Sequence, residues 1–245
     1  MAPDAFGKAF LAYLEGGKPE MVIEREDGYI DSDDMASYFC EYKDFPECEK
    51  RALDHAKGRV LDIGMGAGRV AVHLQDKGHD VVGIDLSNIA LDVAAKRGVR
   101  RGMMMSACDL EFPEGSFDTA IAFGNNFGLC GTPEGVVGML VRLHKILSDD
   151  GIILAESINP VATNNPDHLR YQKQNMDHGR MPGQIKIRFK YEDLVSGWFY
   201  LLIVTPGQME ELCAKAGWMV ETTYPSGPEL AEANLYTAAL KKVRG

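Results

Sequence analysis

Between Arg59 and Ser157, short apolar runs alternate with helical segments, and this rhythm restricts the fold more than any other feature of the chain. The runs are RVLDIG, DVVGIDL, RGMMMSACDL, FDTAIAFGN and GIILAESI. Between them lie GRVAVHLQDKG, SNIALDVAAKRG and TPEGVVGMLVRLHKILSDDG. Strands that are apolar throughout must be covered on both faces, and helices between them supply the cover. The pattern therefore predicts a doubly wound, mostly parallel α/β sheet. Ser87 reads as a helix cap, and Thr132 with Pro133 as a cap followed by a first-turn proline.

The flanks read differently. Residues 1–57 form a polar segment expected to be helical, with Phe6, Phe10, Tyr13 and Leu14 on one helical face. DSDDMASYFCEY follows an Asp/Ser cap, and FPECEKRALDHAKG has Pro46 near its start and Gly58 as its stop. Past Ser157, NPVATNNPDH is a turn-rich connection, and GQIKIRFKYEDLVSGWFYLLIV predicts an antiparallel hairpin. TPGQMEELCAKAGW is a helix with Thr205 and Gln208 at capping-box spacing and Gly217 as its stop. WMVETTYP and NLYTAALKKV are the last two strands. The organisation expected is an N-terminal unit of 1–57 and an α/β domain of 58–245 with an insertion at about 159–204.

Charge narrows the partners. The chain has 245 residues and a formal charge of −10, which disfavours sequence-independent nucleic-acid binding and anionic membranes. AAKRGVRRG, the densest positive stretch, reads as a helix end and a turn. The five cysteines (Cys40, Cys48, Cys108, Cys130 and Cys213) are scattered and contain no CxxC pair. That usage predicts a reducing, cytoplasmic setting without a disulfide framework or a structural zinc site. MAPDAFGKAFLAYLEGG lacks the basic-then-apolar order of a signal peptide.

The chemistry concentrates in VLDIGMGAGR, residues 60–69. A strand, then glycines, then a helix is where an open parallel sheet binds a nucleotide. A dinucleotide fingerprint requires G-x-G-x-x-G, whose third glycine permits close helix packing around a pyrophosphate. Here Gly64, Gly66 and Gly68 are spaced G-x-G-x-G, and Asp62 stands two residues ahead of them. An acid there repels a pyrophosphate and suits a cationic ligand.

LDIGMGAGR resembles the first motif of class I S-adenosylmethionine-dependent methyltransferases. VVGIDLS resembles the second strand, whose terminal acid holds the ribose hydroxyls, and Asp85 matches that acid. SACDLEFPEGSFDTAIA resembles the third and fourth strand region, where Asp109 matches the acid that meets the adenine amine. FGNNFGLCG occupies the position facing the methyl group, and the C-terminal helix with two strands resembles the end of the same fold. The main resemblance covers residues 58–155. It implies a seven-stranded sheet with an antiparallel last strand, an N-terminal cap and a lid in the insertion. It also implies S-adenosylmethionine as donor, with S-adenosylhomocysteine as product. The expected donor contacts are the Gly64–Gly68 loop with Met65, the Asp62 carboxylate on the ammonium, and Asp85 on the ribose. Asp109 and the Leu110 amide, with Cys108 beside them, are expected at the adenine. Leu86, Phe123 and Gly124 are expected around the adenosine and the methyl end. Phe123 and Leu86 read almost equally as packing residues.

Methyl transfer is an in-line displacement, and much of its catalysis comes from holding nucleophile and sulfonium in line. A base is needed only where the acceptor carries a proton. Asn125 and Asn126 follow the fourth strand without the Pro-Pro of the amino-methylating subclass. Tyr38 and Tyr42 in the cap offer hydroxyls toward the donor. Arg188, Tyr191, Trp198, Phe199 and Tyr200 are candidates to line the lid, with Arg188 suited to a carboxylate or phosphate. His168 and His178 are the histidines placed to act as a base, and the catalytic candidates are Asn125, Tyr38 and His178. The expected reaction is methylation of N or O on a small molecule by a monomer or homodimer, with no nucleic-acid or membrane partner. The alternatives are a protein or nucleic-acid methyltransferase and a non-catalytic donor-binding subunit.

Overall fold

The computed structural model describes residues 4–227 and 234–243. Chain order begins with helix α1 (Ala5–Leu14), strands β1 (Glu20–Arg25) and β2 (Ile30–Asp34), and helices α2 (Ala36–Phe39) and α3 (Glu47–Leu53). The alternating region follows as β3 (Arg59–Ile63), α4 (Arg69–Asp76), β4 (Asp80–Asp85), α5 (Asn88–Lys96), β5 (Gly102–Met104), β6 (Phe117–Ala122), α6 (Pro133–Ile146) and β7 (Leu147–Ile158). Then come α7 (Pro166–Asp177), β8 (Gln184–Tyr191), β9 (Leu194–Val195), β10 (Phe199–Leu202), α8 (Pro206–Lys215), β11 (Trp218–Pro225) and β12 (Leu235–Lys242).

The central sheet has seven strands in the order β11-β12-β7-β6-β3-β4-β5. Pairs from β5 to β7 are parallel, while β12 runs antiparallel to both β7 and β11. This is the doubly wound sheet expected from the alternation, with its last strand reversed. Local signals set the helix starts. The Ser87 hydroxyl accepts from the Ala90 amide at 2.8 Å, the Thr132 hydroxyl accepts from Gly135 at 3.0 Å, and Thr205 with Gln208 closes a full capping box. Two apolar layers bury the sheet. Leu61, Phe127, Leu140 and Trp218 lie in one, and Phe45, Val60, Phe123 and Leu154 in the other.

The N-terminal segment departs from the helical expectation. Met21–Glu24 and Asp31–Ser32 are extended, and β1 pairs with β2 and with β8. The result is a second, antiparallel sheet of order β10-β8-β1-β2, with β9 attached to β8. Asp27-Gly28 makes the hairpin turn, with Gly28 at φ +88°, a known hairpin signal. The N-terminal unit and the insertion are therefore one sheet built from both. Met21 is fully buried, and Arg25 is 7% exposed. The Arg25 guanidinium bonds Asp27 and lies over the rings of Tyr29 and Tyr171. The connection after Ser157 also holds α7, capped by Asn165 accepting from Asp167 at 2.9 Å.

Candidate functional site

The glycine loop joins β3 to α4 at the C-terminal edge of the parallel strands. Gly64 has φ +66°, and a Cβ there would stand 2.6 Å from the Asn126 amide nitrogen. That nitrogen donates to the carbonyls of Ile63 at 2.8 Å and Gly64 at 2.9 Å, clamping the loop's first turn. Gly68, at φ +79°, lies so close to α5 that a Cβ would come within 2.6 Å of Val99. The Gly66 amide donates to Asp85 at 3.0 Å, and Ser87 donates to the other Asp85 oxygen at 2.9 Å. Burial holds the Asp85 carboxyl above its ordinary range against the pull of those two amides.

The N-terminal unit sits directly on this loop. Phe10 is fully buried, with its ring 3.3 Å from the position of a Cβ on Gly66. Asp4 accepts from the Ser87 hydroxyl at 2.5 Å. Arg97 donates to the carbonyls of Ala67 at 2.6 Å, Tyr38 at 3.2 Å and Phe39 at 3.0 Å, tying loop and α2 together. Tyr38 donates to Asp33 at 2.6 Å, and its ring packs on Phe6 and Phe10. Burial, then the Asp33 carboxylate, drives its phenol well above the usual range. Asp33 also lines a groove of about 700 Å³ with Tyr13, Lys18, Glu20 and Asp34.

Behind the loop is a buried ionic cluster. Asp62 is 4% exposed, and its Oδ2 has no hydrogen-bond partner among the described residues. Burial raises its carboxyl to about 7, opposed by Arg69 and reinforced by Asp85. Arg69, the first residue of α4, forks onto both Glu49 oxygens at 2.5 Å and covers the Phe45 ring at 4.5 Å. Glu49 is 1% and Glu156 2% exposed. Glu156 Oε1 accepts from the amides of Gly124 at 2.6 Å and Asn125 at 3.2 Å. Its Oε2 is unpartnered among the described residues. Burial and Glu49 push the Glu156 carboxyl well above its ordinary range. Three buried carboxyl groups thus face one guanidinium, an arrangement that demands neutralisation by protons or by a cation.

Residues 60–151 match a family model described as a methyltransferase domain. Structurally, the chain is similar to a SAM-dependent methyltransferase from Bacteroides fragilis in complex with S-adenosyl-L-homocysteine. The TM-score is 0.82 at 24% identity, covering 99% of this chain and 96% of that one. Residues 60–151 are thus similar to a methyltransferase domain, and the chain shares the fold of that SAM-dependent methyltransferase. Among curated relatives, a glycine/sarcosine N-methyltransferase from Halorhodospira halochloris is 27% identical over 148 residues, 56% of this chain and 54% of that protein. A probable 18S rRNA (guanine-N(7))-methyltransferase from Dictyostelium discoideum is 37% identical over 87 residues, 35% and 30% of the two chains. The first curated relatives are thus matched over well under two thirds of their length, 41% and 30%.

Within the matched region the expected residues divide. Asp62, Gly64, Gly66, Gly68 and Asp85 come together around one loop. Leu86 stands beside Asp85 with 71% of its surface exposed. The Met65 side chain instead fills the space over Gly83 and Gly102, and Phe123 and Leu110 are buried in the two core layers. Asp109 is an exposed acid paired with Arg142 at 3.2 Å. Gly124, at φ +69°, contributes its amide to Glu156.

Cys108 corrects the expectation of unpaired cysteines. It forms a disulfide with Cys130, the Cα atoms 5.5 Å apart, because the loop after β5 and the segment before α6 meet in space although 22 residues separate them. Its thiol is therefore not a free group. Its carbonyl accepts from Arg142 at 3.2 Å.

The acceptor-side candidates are scattered. Asn125, at φ +64°, spends its side-chain oxygen on the Ile158 amide at 2.9 Å. Tyr42 stacks on His73 at 3.9 Å. His178 is exposed at the end of α7 and contacts the Gln174 carbonyl. His168 packs edge-on against Tyr29. Arg188 donates to Glu24 at 2.6 Å and lies over Trp198, so its charge is already met inside the small sheet. Phe199 packs on Phe189, and the Tyr200 ring lies near Lys186.

Sequence reasoning missed Glu49, Arg69 and Glu156. Arg69 was visible as the residue after the third glycine, and Glu156 as a lone acid ending an apolar strand. Nothing local marked Glu49 as their partner.

Proposed function

We propose that the chain transfers a methyl group from S-adenosylmethionine to N or O of a small-molecule acceptor. The observation that carries this reading is Asp62: a buried carboxylate oxygen without a partner among the described residues, directly behind a left-handed glycine loop. A cationic ligand over that loop satisfies the oxygen, and an ammonium or sulfonium fits where a pyrophosphate does not. The donor supplies an activated methyl group; the chain supplies position. Asp62 attracts the ammonium. Asp85 is held by the Gly66 and Ser87 amides, with lone pairs left for two ribose hydroxyls. Asn126 fixes the first turn of the loop. Residues 1–57 act as the cap, α1 with Phe6 and Phe10 excluding water from the glycine loop, and the insertion at about 159–204 completes the lid.

The acidity of the chain supports a small acceptor, since binding an RNA rests on phosphate neutralisation. The glycine/sarcosine relative is named for small amines, and the rRNA relative for a nucleic acid. No helix of the described residues is long and apolar enough to cross a membrane. We propose a monomer or homodimer; the cytoplasmic expectation rests on unpaired cysteines, which the Cys108–Cys130 disulfide replaces. The test is turnover of radiolabelled donor against separate pools of small metabolites and of RNA. Label in the small-molecule pool alone supports the reading, and label in RNA refutes it.

A further inference from the structure

The buried cluster contains one carboxyl group, Glu156, with neither a part in donor binding nor an ion pair of its own among the described residues. Glu156 stands at the end of β7 and grips the loop after β6 through two amides on Oε1. Its Oε2 points into a space where Glu49 has already given both oxygens to Arg69. Arg69 opens α4, the helix that the glycine loop feeds. We propose that Glu156 is a positioning residue that works as a neutral carboxylic acid: its Oε2–H donates to Glu49 and so locks the loop after β6 to Arg69 and the glycine-loop helix.

Charge and hydrogen bonding both require the proton. As a carboxylate, Glu156 would bring a further negative charge to a guanidinium already neutralised by Glu49, and leave Oε2 an acceptor with no donor. An unsatisfied buried group costs about 1–3 kcal/mol, and more when charged. As an acid it becomes a donor, and the Glu49 carboxylate is the acceptor in reach. The groups facing it are Glu49 and Cys48 from α3, Arg69 from α4 and Tyr38 from α2. None of these but Arg69 is cationic, and Arg69 is shared. One proton therefore completes a relay from the Gly124–Asn125 amides through Glu156 and Glu49 to Arg69. The relay joins the strand ends that flank the proposed methyl-transfer position, so it rests on the donor-site reading given above. The Glu156 network does not itself touch donor or acceptor.

The proposal makes glutamine a faithful substitute. In Glu156→Gln, the amide oxygen accepts from Gly124 and Asn125 and the NH2 donates to Glu49. The variant should bind S-adenosylhomocysteine like the parent near neutral pH, by calorimetric titration. From about pH 5 upward, wherever the folded chain keeps the proton that the unfolded chain has released, the parent should lose thermal stability relative to Glu156→Gln, which has no proton to hold. Glu156→Ala, which breaks the relay, should weaken S-adenosylhomocysteine binding by roughly tenfold or more. The infrared absorption of buried carboxylic acids, recorded near neutral pH, should lose one component in Glu156→Gln while the Asp62 component remains. A stable Glu156→Gln protein whose melting temperature runs parallel to the parent's across the pH range, and whose infrared spectrum matches it, overturns the proposal. So does a Glu156→Gln protein that keeps its melting temperature but loses donor-product binding near neutral pH, since the negative charge would then be what matters. If the parent itself fails to bind S-adenosylhomocysteine, the donor reading fails, while the melting and infrared comparisons still decide the proton on Glu156.

Discussion

Asp62→Asn is the substitution whose effect the structure fixes most fully. Asp62 is 4% exposed, and burial lifts its carboxyl from 3.8 to about 7. At 1.36 kcal/mol per unit, that rise is an ionisation penalty of about 4 kcal/mol in the free protein. The sign follows from proton counting. Between these two pH values the native chain holds a proton that the unfolded chain has released, so stability falls as pH rises and the loss is complete above about 7. The substituted amide is neutral throughout and escapes the penalty. Its NH2, placed where Oδ2 has no partner among the described residues, forfeits about 1–3 kcal/mol at every pH. The difference between variant and parent should therefore swing by about 4 kcal/mol in favour of the variant from about pH 4 to about pH 8. At roughly 2–4 °C per kcal/mol for a chain of this size, the melting curves should move by roughly 10 °C relative to one another. Scanning calorimetry of both proteins at matched pH values checks this, and S-adenosylhomocysteine binding should be lost in the variant. Parallel stability profiles for the two proteins would refute the account of Asp62 as a buried acid awaiting a cation.

Further outcomes concern the donor loop and the cross-link. Asp85→Ala should weaken S-adenosylhomocysteine binding by roughly 10–100-fold, the value of hydrogen bonds to a charged acceptor, as read by calorimetric titration. Asn126→Ala frees the Ile63 and Gly64 carbonyls and should lower both melting temperature and donor-product affinity, with about 1–2 kcal/mol lost in urea unfolding. Cys108→Ser should cost about 3 kcal/mol of stability, the chain-entropy value for a loop closed over 22 residues. Thiol titration of the unfolded parent should count three cysteines before reduction, matching free Cys40, Cys48 and Cys213.

What was legible in the sequence was local. The β3–α4 loop is announced by glycines at fixed spacing next to an acid, and the capped helices by Ser87, Thr132 and Thr205, because each signal and its structure lie within one turn of chain. The small sheet was hidden for the opposite reason. EMVIER is short and charged on its outer face, and its partner β8 lies far along the chain, with Ile23 opposite Phe189. The Asp27-Gly28 turn was the one local trace of it. The disulfide was hidden likewise, since Cys108 and Cys130 look unrelated until β5 and β6 are laid in one sheet. The ionic cluster joins residues 49, 69 and 156 from three separate elements, and its meaning lies in burial, which a single acid in a sequence does not reveal. Helix α7 was obscured by the Asn-Pro start that in fact caps it.

The most direct test of the donor site is calorimetric titration of the whole protein with S-adenosylhomocysteine across about pH 6 to about pH 8. Asp62 is largely protonated at the lower end and must ionise to hold an ammonium. Saturable binding that strengthens as pH rises, with heats that depend on the buffer because a proton is released, is the predicted result. A folded protein that binds nothing, or binds with the same affinity and no proton release at both ends, would contradict the assignment of Asp62 and the glycine loop to the methyl donor.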